Sequence, residues 1–270
     1  MKSLTPKAVS VKFAPSQDRN GADHTAAIPC NDWRPCRVPR KPPVGPMSEF
    51  TAKDIDALYR VMAARRDMRH FLPDPLDEAL VTRLLQAAHL APSVGFMQPW
   101  RFIRVRDRAM RERVHALVET ERLATARALQ EREDEFMRLK VEGVRECGEL
   151  LVAALMPGRE RFVFGRRTMP EMDLASVACA IQNLWLAARA EGIGMGWVSL
   201  FDPETLRVLL RMPEGSRPVA VLCLGRVPAF YPRPMLEEQH WARRCDLNEL
   251  VMTDYWTESS RSPTRESTDT

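Results

Sequence analysis

Three arginines and one aspartate lie within five residues in the stretch Arg65-Arg66-Asp67-Met68-Arg69. Guanidinium groups hold a phosphate dianion through charge-assisted, bidentate hydrogen bonds. A carboxylate among such cations stays ionised and fixed in place, which suits an acid or base that acts beside an anionic ligand. A solvated charge cluster at a helix end explains the same composition, and this stretch alone favours that simpler interpretation.

The loop from Pro92 to Trp100 brings polar and flat side chains together. Proline ends a helix there, and glycine permits a tight turn. Ser93 and Gln98 offer a hydroxyl and an amide to the polar edge of a heterocycle. The side chains that could pack against a flat ring are Phe96, Met97 and Trp100. A helix-to-strand loop with core aromatics fits equally well, so this segment alone leaves function open.

The glycine-rich stretch Gly192–Ser199 superficially resembles a dinucleotide-binding loop. That fingerprint is GxGxxG, placed after a strand and at the start of a helix. Here the spacing is GxGxG, and the glycines follow a helix and open a strand, which excludes a Rossmann site. The glycines are expected either to let the backbone approach a ligand or to cap the helix. Ser199 is then expected on the strand, at the edge of that approach.

The segment Arg159–Asp173 is basic, aromatic and without regular periodicity. Segments of this type serve in some enzymes as mobile lids over a ligand. A surface loop is the commoner explanation and is the interpretation that the composition favours.

Mixed helices and strands must position these segments. A first helix is predicted after the capping-box pair Thr51 and Asp54, and the further predicted helices span residues 77–92, 108–140, 173–191 and 203–210. Strands are predicted over residues 101–106, 150–156, 197–201 and 218–225. Because the order lacks regular βαβ alternation, it favours an α+β fold over a doubly wound sheet.

Composition divides the 270-residue chain into three parts. Residues 1–47 hold eight of the 21 prolines and are predicted to be an extended or disordered appendage. Residues 48–256 are predicted to form the folded domain, and residues 257–270 a loose tail. The net charge of +4 is too small to indicate nucleic-acid binding, so no nucleic-acid partner is expected.

The six cysteines include no CxxC pair, so reduced and mostly buried thiols are expected rather than disulfides or a zinc site. The histidines show no ligand spacing, and no metal site is predicted. The longest apolar helical segment, residues 175–190, is interrupted by Gln182 and Asn183 and is too short to span a membrane. Without the apolar stretch of a secretory signal, the protein is expected in the cytoplasm.

Taken in order, the motifs RRDMRHF, PSVGFMQPWRF and AIQNLWLAARAEGIGMGWVS closely resemble the 5,6-dimethylbenzimidazole synthases, a branch of the nitroreductase-like flavoproteins. The resemblance spans about residues 50–256. General nitroreductases usually have serine where Asp67 stands, so the first two motifs separate this branch from them. The resemblance implies a mostly antiparallel central sheet wrapped by helices, in a homodimer with FMN at the subunit interface.

The resemblance also implies roles for individual residues. Asp67 would be the base that takes a proton from the ribityl chain, and Ser199 would donate a hydrogen bond to the reduced or oxygenated ring. The residues implied to hold the phosphate and ribityl region are Arg65, Arg66, Arg69 and Arg233. The others implied to bind the flavin are Met68, Ser93, Met97, Gln98, Trp197, Val198 and Leu200.

The implied reaction consumes the flavin. Reduced FMN and dioxygen yield 5,6-dimethylbenzimidazole, which is the lower ligand of vitamin B12, and erythrose 4-phosphate. A buried flavin leaves little room for a nicotinamide, so a separate flavin reductase is expected to supply reduced FMN. Three alternatives stay open: an NAD(P)H-dependent nitroreductase or flavin reductase that recycles FMN, a non-catalytic flavin-binding protein, and a structural helical protein without flavin.

Overall fold

The structure is a computed structural model that describes residues 50–256. The predictions for residues 1–47 and 257–270 therefore lie outside the described residues. The helices are α1 Ala52–Ala64, α2 Glu78–His89, α3 Arg108–Ala128, α4 Glu133–Arg138, α5 Met172–Ala190, α6 Pro203–Leu209 and α7 Met235–Glu238. The strands are β1 Trp100–Arg104, β2 Glu149–Leu155, β3 Gly194–Val198 and β4 Arg217–Gly225.

The four described strands form one antiparallel sheet in the order β1-β2-β4-β3. Because side chains alternate along a strand, β2 contributes to two cores. Leu151 and Ala153 pack with α2 and α5, whereas Leu150 and Val152 pack with Val114 of α3 and other residues of the second core. Helices thus cover both faces of the sheet, and the predicted α+β class is confirmed.

The segment that follows α1 lies along the outer edge of β3. The Met68 N–H donates to the Met195 carbonyl at 2.9 Å, and Asp67 and Met195 form an isolated parallel bridge. Gly196 allows this approach, since a Cβ at that position would lie 2.3 Å from the Met68 carbonyl oxygen. Glycine therefore lets two backbone segments meet.

The strand predicted over residues 197–201 is placed too late in the sequence, because β3 begins at Gly194 and ends at Val198. Its glycines pair with β4, and Gly194 stands opposite Gly225. Ser199 lies just beyond the strand. Gly192 has a φ of +73° and follows the end of α5, as the capping interpretation predicts.

The single helix predicted over residues 108–140 is also wrong. α3 ends at Ala128, and Gln130 takes a φ of +49°, which redirects the chain before α4. This turn allows Phe136 and Leu139 to fold back onto Ala126 in a small third core. In one continuous helix, Phe136 and Leu139 would lie far along the axis from Ala126 and could not pack against it. Tertiary packing therefore overrides local helix propensity here.

The segment Arg159–Asp173 is a surface loop that is tied to the start of α5. The Asp173 carboxylate is buried and accepts from Arg159 Nε at 2.8 Å and from Arg166 Nη2 at 2.9 Å. At the tip of the loop, Phe164 is exposed. The surface-loop interpretation is confirmed.

Four cysteines fall within the described residues, and all are free thiols: Cys147, Cys179, Cys223 and Cys245. Between residues 50 and 256, no grouping of histidine, cysteine and carboxylate side chains could hold a metal ion. In the same part of the chain, no helix combines the length and apolar character that crossing a membrane requires.

We expect Asp173→Asn to lower the free energy of unfolding by about 3 kcal/mol, because it leaves two partly buried guanidinium groups without a counter-charge. Glu204→Gln is the matched control. It removes a carboxylate that is 67% exposed and pairs with Arg207, and it should leave the stability nearly unchanged. Urea unfolding of both variants checks this, and equal losses would contradict the buried role of Asp173.

Candidate functional site

A cavity of about 790 Å³ lies beside the outer edge of β3. Small-molecule sites usually measure about 300–1,000 Å³. Its walls come from the C-terminal half of α1, the segment 65–69, the end of β3, the chain around α4 and the segment 234–244. Residues far apart in the sequence therefore meet in one cavity.

Asp67 is anchored in the cavity wall through both of its carboxylate oxygens. The Trp197 N–H donates to Oδ1 at 3.0 Å, and Arg69 Nη2 donates to Oδ2 at 2.6 Å. The side chain nevertheless remains 41% exposed. The carboxylate is thus fixed in orientation while part of it still faces the cavity.

The pKa of Asp67 is raised above its ordinary value, because partial burial disfavours the charged carboxylate. Arg69, the Trp197 N–H and Arg65 oppose this rise, in that order. A carboxylate poised in this way can exchange a proton with a ligand group more readily than an ordinary surface aspartate.

Arginine side chains give the cavity a cationic region. Arg65 and Arg244 both line it, and the Arg65 guanidinium lies 4.6 Å from the centre of the Trp185 ring. Burial lowers the pKa of Arg65, and the neighbouring charges of Arg66 and Arg244 lower it further, while Asp67 opposes them. This crowding of like charges favours an anion at this place.

Arg66 lines the cavity, but most of its donors are used within the protein. Nε and Nη2 donate to the carbonyls of Tyr231 and Pro232 at 3.1 and 2.8 Å, and Nη1 donates to those of Ala63 and Arg65. Arg66 therefore fastens the C-terminal segment to the end of α1. These contacts favour a structural role for Arg66 rather than the predicted phosphate contact.

The remaining walls are mainly apolar. Phe136, Leu139 and Trp241 line the cavity and belong to the third core. They are joined by Tyr59 and Met62 of α1. None of these five residues was predicted, because each is an ordinary apolar residue of its own segment and reaches the cavity only through tertiary packing.

Arg244 was missed for a different reason. The adjacent arginines 243 and 244 are visible in the sequence as a small basic pair. Arg244 reaches the cavity through the path that the chain takes after α7, and that path could not be read from the sequence. Arg233, which was predicted instead, does not line the cavity. It stands between Pro232, which accepts from Arg66, and Pro234, which lines the wall.

The other predicted residues divide into two groups. The end of β3 reaches the cavity, and the predicted residues that line it there are Trp197, Val198, Ser199 and Leu200. Met68 is fully buried in the second core and contributes its backbone rather than its side chain. The loop with Ser93, Met97 and Gln98 does not line this cavity, since it precedes β1 at the opposite edge of the sheet.

Side-chain hydroxyls hold the backbone of that loop in place, and one of them is the Ser93 hydroxyl that was predicted to bind the ring. Ser93 Oγ accepts from the Gln98 N–H at 3.0 Å, and the Val94 N–H donates to Ser176 Oγ at 3.1 Å. Met97 is buried. Within one copy of the chain, these residues and Asp67 do not form one site.

Comparison with known proteins assigns the family. Residues 62–226 match the model of the nitroreductase family. A 5,6-dimethylbenzimidazole synthase from Rhodospirillum rubrum is 46% identical over 206 residues, which cover 74% of this chain and 95% of that protein. The chain belongs to the nitroreductase family, in its 5,6-dimethylbenzimidazole synthase branch.

Other relatives agree with this placement. A 5,6-dimethylbenzimidazole synthase from Rhodobacter capsulatus is 41% identical and covers 69% of this chain and 91% of its own. Among solved structures, a BluB-like flavoprotein from Clostridium difficile 630 has a TM-score of 0.58 at 15% identity, covering 72% of this chain and 97% of that one. Iodotyrosine deiodinase bound to FMN and 3-iodo-L-tyrosine has a TM-score of 0.56 at 22% identity, covering 74% and 98%. These structural likenesses confirm the nitroreductase fold of this synthase-branch chain.

We expect Asp67 of the ligand-free protein to titrate at a higher pH than Asp202. Partial burial raises the pKa of Asp67, whereas hydrogen bonds from the Thr205 side chain and backbone lower that of the exposed Asp202. Carboxyl ¹³C NMR during an acid titration measures both residues in one sample, with Asp67→Asn identifying the resonance. Titration of Asp67 below Asp202 would contradict the described environment.

Proposed function

We propose that this chain is a 5,6-dimethylbenzimidazole synthase that uses dioxygen to fragment reduced FMN. One ribityl carbon is built into 5,6-dimethylbenzimidazole, the other four leave as erythrose 4-phosphate, and the pyrimidine ring of the isoalloxazine is released as a separate fragment. The observation that carries the proposal is Asp67, an anchored and partly exposed carboxylate beside a cluster of cavity arginines. The identity to synthases of this name supports the same reaction.

The cavity matches FMN in its positive charges and in its apolar walls. The phosphate would meet Arg65 and Arg244, whose mutual repulsion a dianion relieves. The isoalloxazine ring would pack against apolar wall residues such as Leu200 and Trp241. When bound and reduced, the flavin supplies the electrons for oxygen chemistry and the carbon skeleton of the product.

The chain's own groups then act on protons and orientation. Asp67 takes a proton from the ribityl chain in its ionised form, so activity should fall as the pH drops through its raised pKa. The Ser199 hydroxyl lies at the exposed end of β3 and donates a hydrogen bond to the ring. Arg65 and Arg244 bind the phosphate and thereby place the ribityl chain beside Asp67.

The site is completed by a second copy of the chain in a homodimer. The loop with Ser93, Met97 and Gln98 stands at the opposite sheet edge, so it can line the flavin ring only from another protomer. Apolar side chains of α1 are also exposed in one copy, including Leu58 and Tyr59, and such surfaces usually mark interfaces. A separate flavin reductase supplies the reduced FMN.

The direct test loads the purified protein with reduced FMN without oxygen, admits air and separates the products by chromatography. We expect a benzimidazole product that forms as flavin disappears, in proportion to it. Full recovery of oxidised FMN would reject the synthase. If NAD(P)H were then oxidised rapidly by the protein with catalytic FMN, the nitroreductase or flavin reductase alternative would take its place.

We expect Asp67→Asn to bind FMN but to form almost no product, because the amide cannot accept the ribityl proton. Removal of a general base usually lowers a rate about 10²–10⁴-fold. Asp56→Asn is the matched control, since Asp56 is exposed on α1 and its loss should leave the rate unchanged. Product at the normal rate from Asp67→Asn would remove Asp67 from the mechanism.

Ser199→Ala should slow product formation by about 10–10³-fold with a smaller effect on FMN affinity, because a hydrogen bond to developing charge acts mainly on the rate. Single-turnover product formation and FMN titration measure the two effects separately. A large loss of FMN affinity, with product formed from bound FMN at the wild-type rate, would instead make Ser199 a binding residue.

A further inference from the structure

The Arg69 side chain is almost fully enclosed beside the cavity. Its exposed fraction is 10%, and the two hydrogens of Nη2 are directed at Asp67 Oδ2 and at the Trp197 carbonyl, at 2.6 and 2.9 Å. The remaining nitrogens, Nε and Nη1, are buried and have no hydrogen-bond partner within the described residues. Arg69 is one of the residues that line the cavity, but the N–H groups on these two nitrogens are unpaired and enclosed in the protein rather than exposed to the cavity.

The backbone of β3 covers the buried side of this guanidinium. A Cβ on Gly196 would lie 2.9 Å from Arg69 Nη1 and 2.3 Å from the Met68 carbonyl. The missing side chain at Gly196 is what allows the guanidinium to lie under the strand. Arg69, Asp67 and Trp197 then close a ring of hydrogen bonds, because the Trp197 N–H returns to Asp67 Oδ1 at 3.0 Å.

We infer that Arg69 is a positioning residue, which fixes the Asp67 carboxylate against β3 and does not hold the flavin phosphate. This inference rests on the proposed function for its effect on catalysis, but the contact itself exists in the ligand-free protein. The three arginines of the motif therefore have different roles. Arg65 faces the cavity with Arg244, Arg66 fastens the C-terminal segment, and Arg69 orients the carboxylate.

The charge of Arg69 is part of this role. The charges of Arg65 and Arg69, on the same segment as Asp67, lower the pKa of Asp67. The hydrogen bond from the Trp197 N–H of β3 lowers it as well. Arg244 lines the same cavity from the C-terminal segment. Of the neighbouring charges, Arg69 has the largest opposing effect on the raised pKa of Asp67. A neutral replacement of Arg69 should therefore raise the pKa of Asp67 further, whereas lysine should keep it closer to the wild-type value.

The experiment compares Arg69→Met, Arg69→Lys and Arg244→Met as purified full-length proteins. FMN and riboflavin affinities are measured by flavin fluorescence, since riboflavin lacks the phosphate. For both Arg69 variants, we expect the ratio of the two affinities to stay within about twofold of wild type, while single-turnover product formation falls by about tenfold or more. Arg244→Met should instead lose about tenfold or more in FMN affinity alone.

The outcome that overturns the inference is a selective loss of FMN affinity, with riboflavin affinity retained, in an Arg69 variant. Carboxyl NMR of the ligand-free proteins gives a second readout, in which Asp67 should titrate at higher pH in Arg69→Met than in Arg69→Lys. An unchanged Asp67 titration in Arg69→Met would also overturn it. If Arg69→Met does not fold, Arg69→Lys decides through the affinity ratio and the product rate.

These readouts distinguish the inference from the proposed function. If the wild-type protein binds FMN but forms no benzimidazole, the proposed reaction fails, while the affinity ratio and the Asp67 titration still test Arg69. If wild type forms product and the Arg69 variants form it at the normal rate, the positioning role fails and the proposed function stands.

Discussion

The contact between the segment 65–69 and the outer edge of β3 is the constraint on which the site depends. One backbone hydrogen bond, from Met68 to Met195, sets the register, and the side chain of Asp67 then meets the Trp197 N–H. Because β3 pairs with the buried central strand β4, the carboxylate is fixed by the sheet rather than by a loop. A site supported in this way holds its geometry without help from a ligand.

The same contact explains why polar and charged groups are tolerated at the sheet edge. Arg69 is buried, but its charge is offset by Asp67 and by a carbonyl of the strand. Arg65 and Arg244 are close enough for their charges to repel each other, and Asp67 offsets part of this repulsion at Arg65. Under the proposed function, a bound dianion relieves this repulsion.

Much of the fold could be predicted from the sequence, because the buried elements carry clear hydrophobic periodicity. α2, α5, β2 and β4 follow the predicted ranges closely. The break after α3 and the early start of β3 could not be predicted, since they depend on what α4 and the segment 65–69 pack against. The local motif singled out Asp67, which the structure places in the cavity wall. It could not assign different roles to three neighbouring arginines, because their partners, such as Tyr231 and Trp197, lie far away in the sequence.

The central claim is that the cavity beside β3 holds the flavin with its phosphate at Arg65 and Arg244 and its ribityl chain beside Asp67. The measurement that tests it most directly is a crystal structure of the protein loaded with FMN in the absence of oxygen. The account predicts density for the phosphate between these two arginines, for the ribityl chain within hydrogen-bond reach of Asp67, and for the loop 93–98 of a second copy against the ring. A flavin bound elsewhere, or a phosphate held by Arg69, would contradict it.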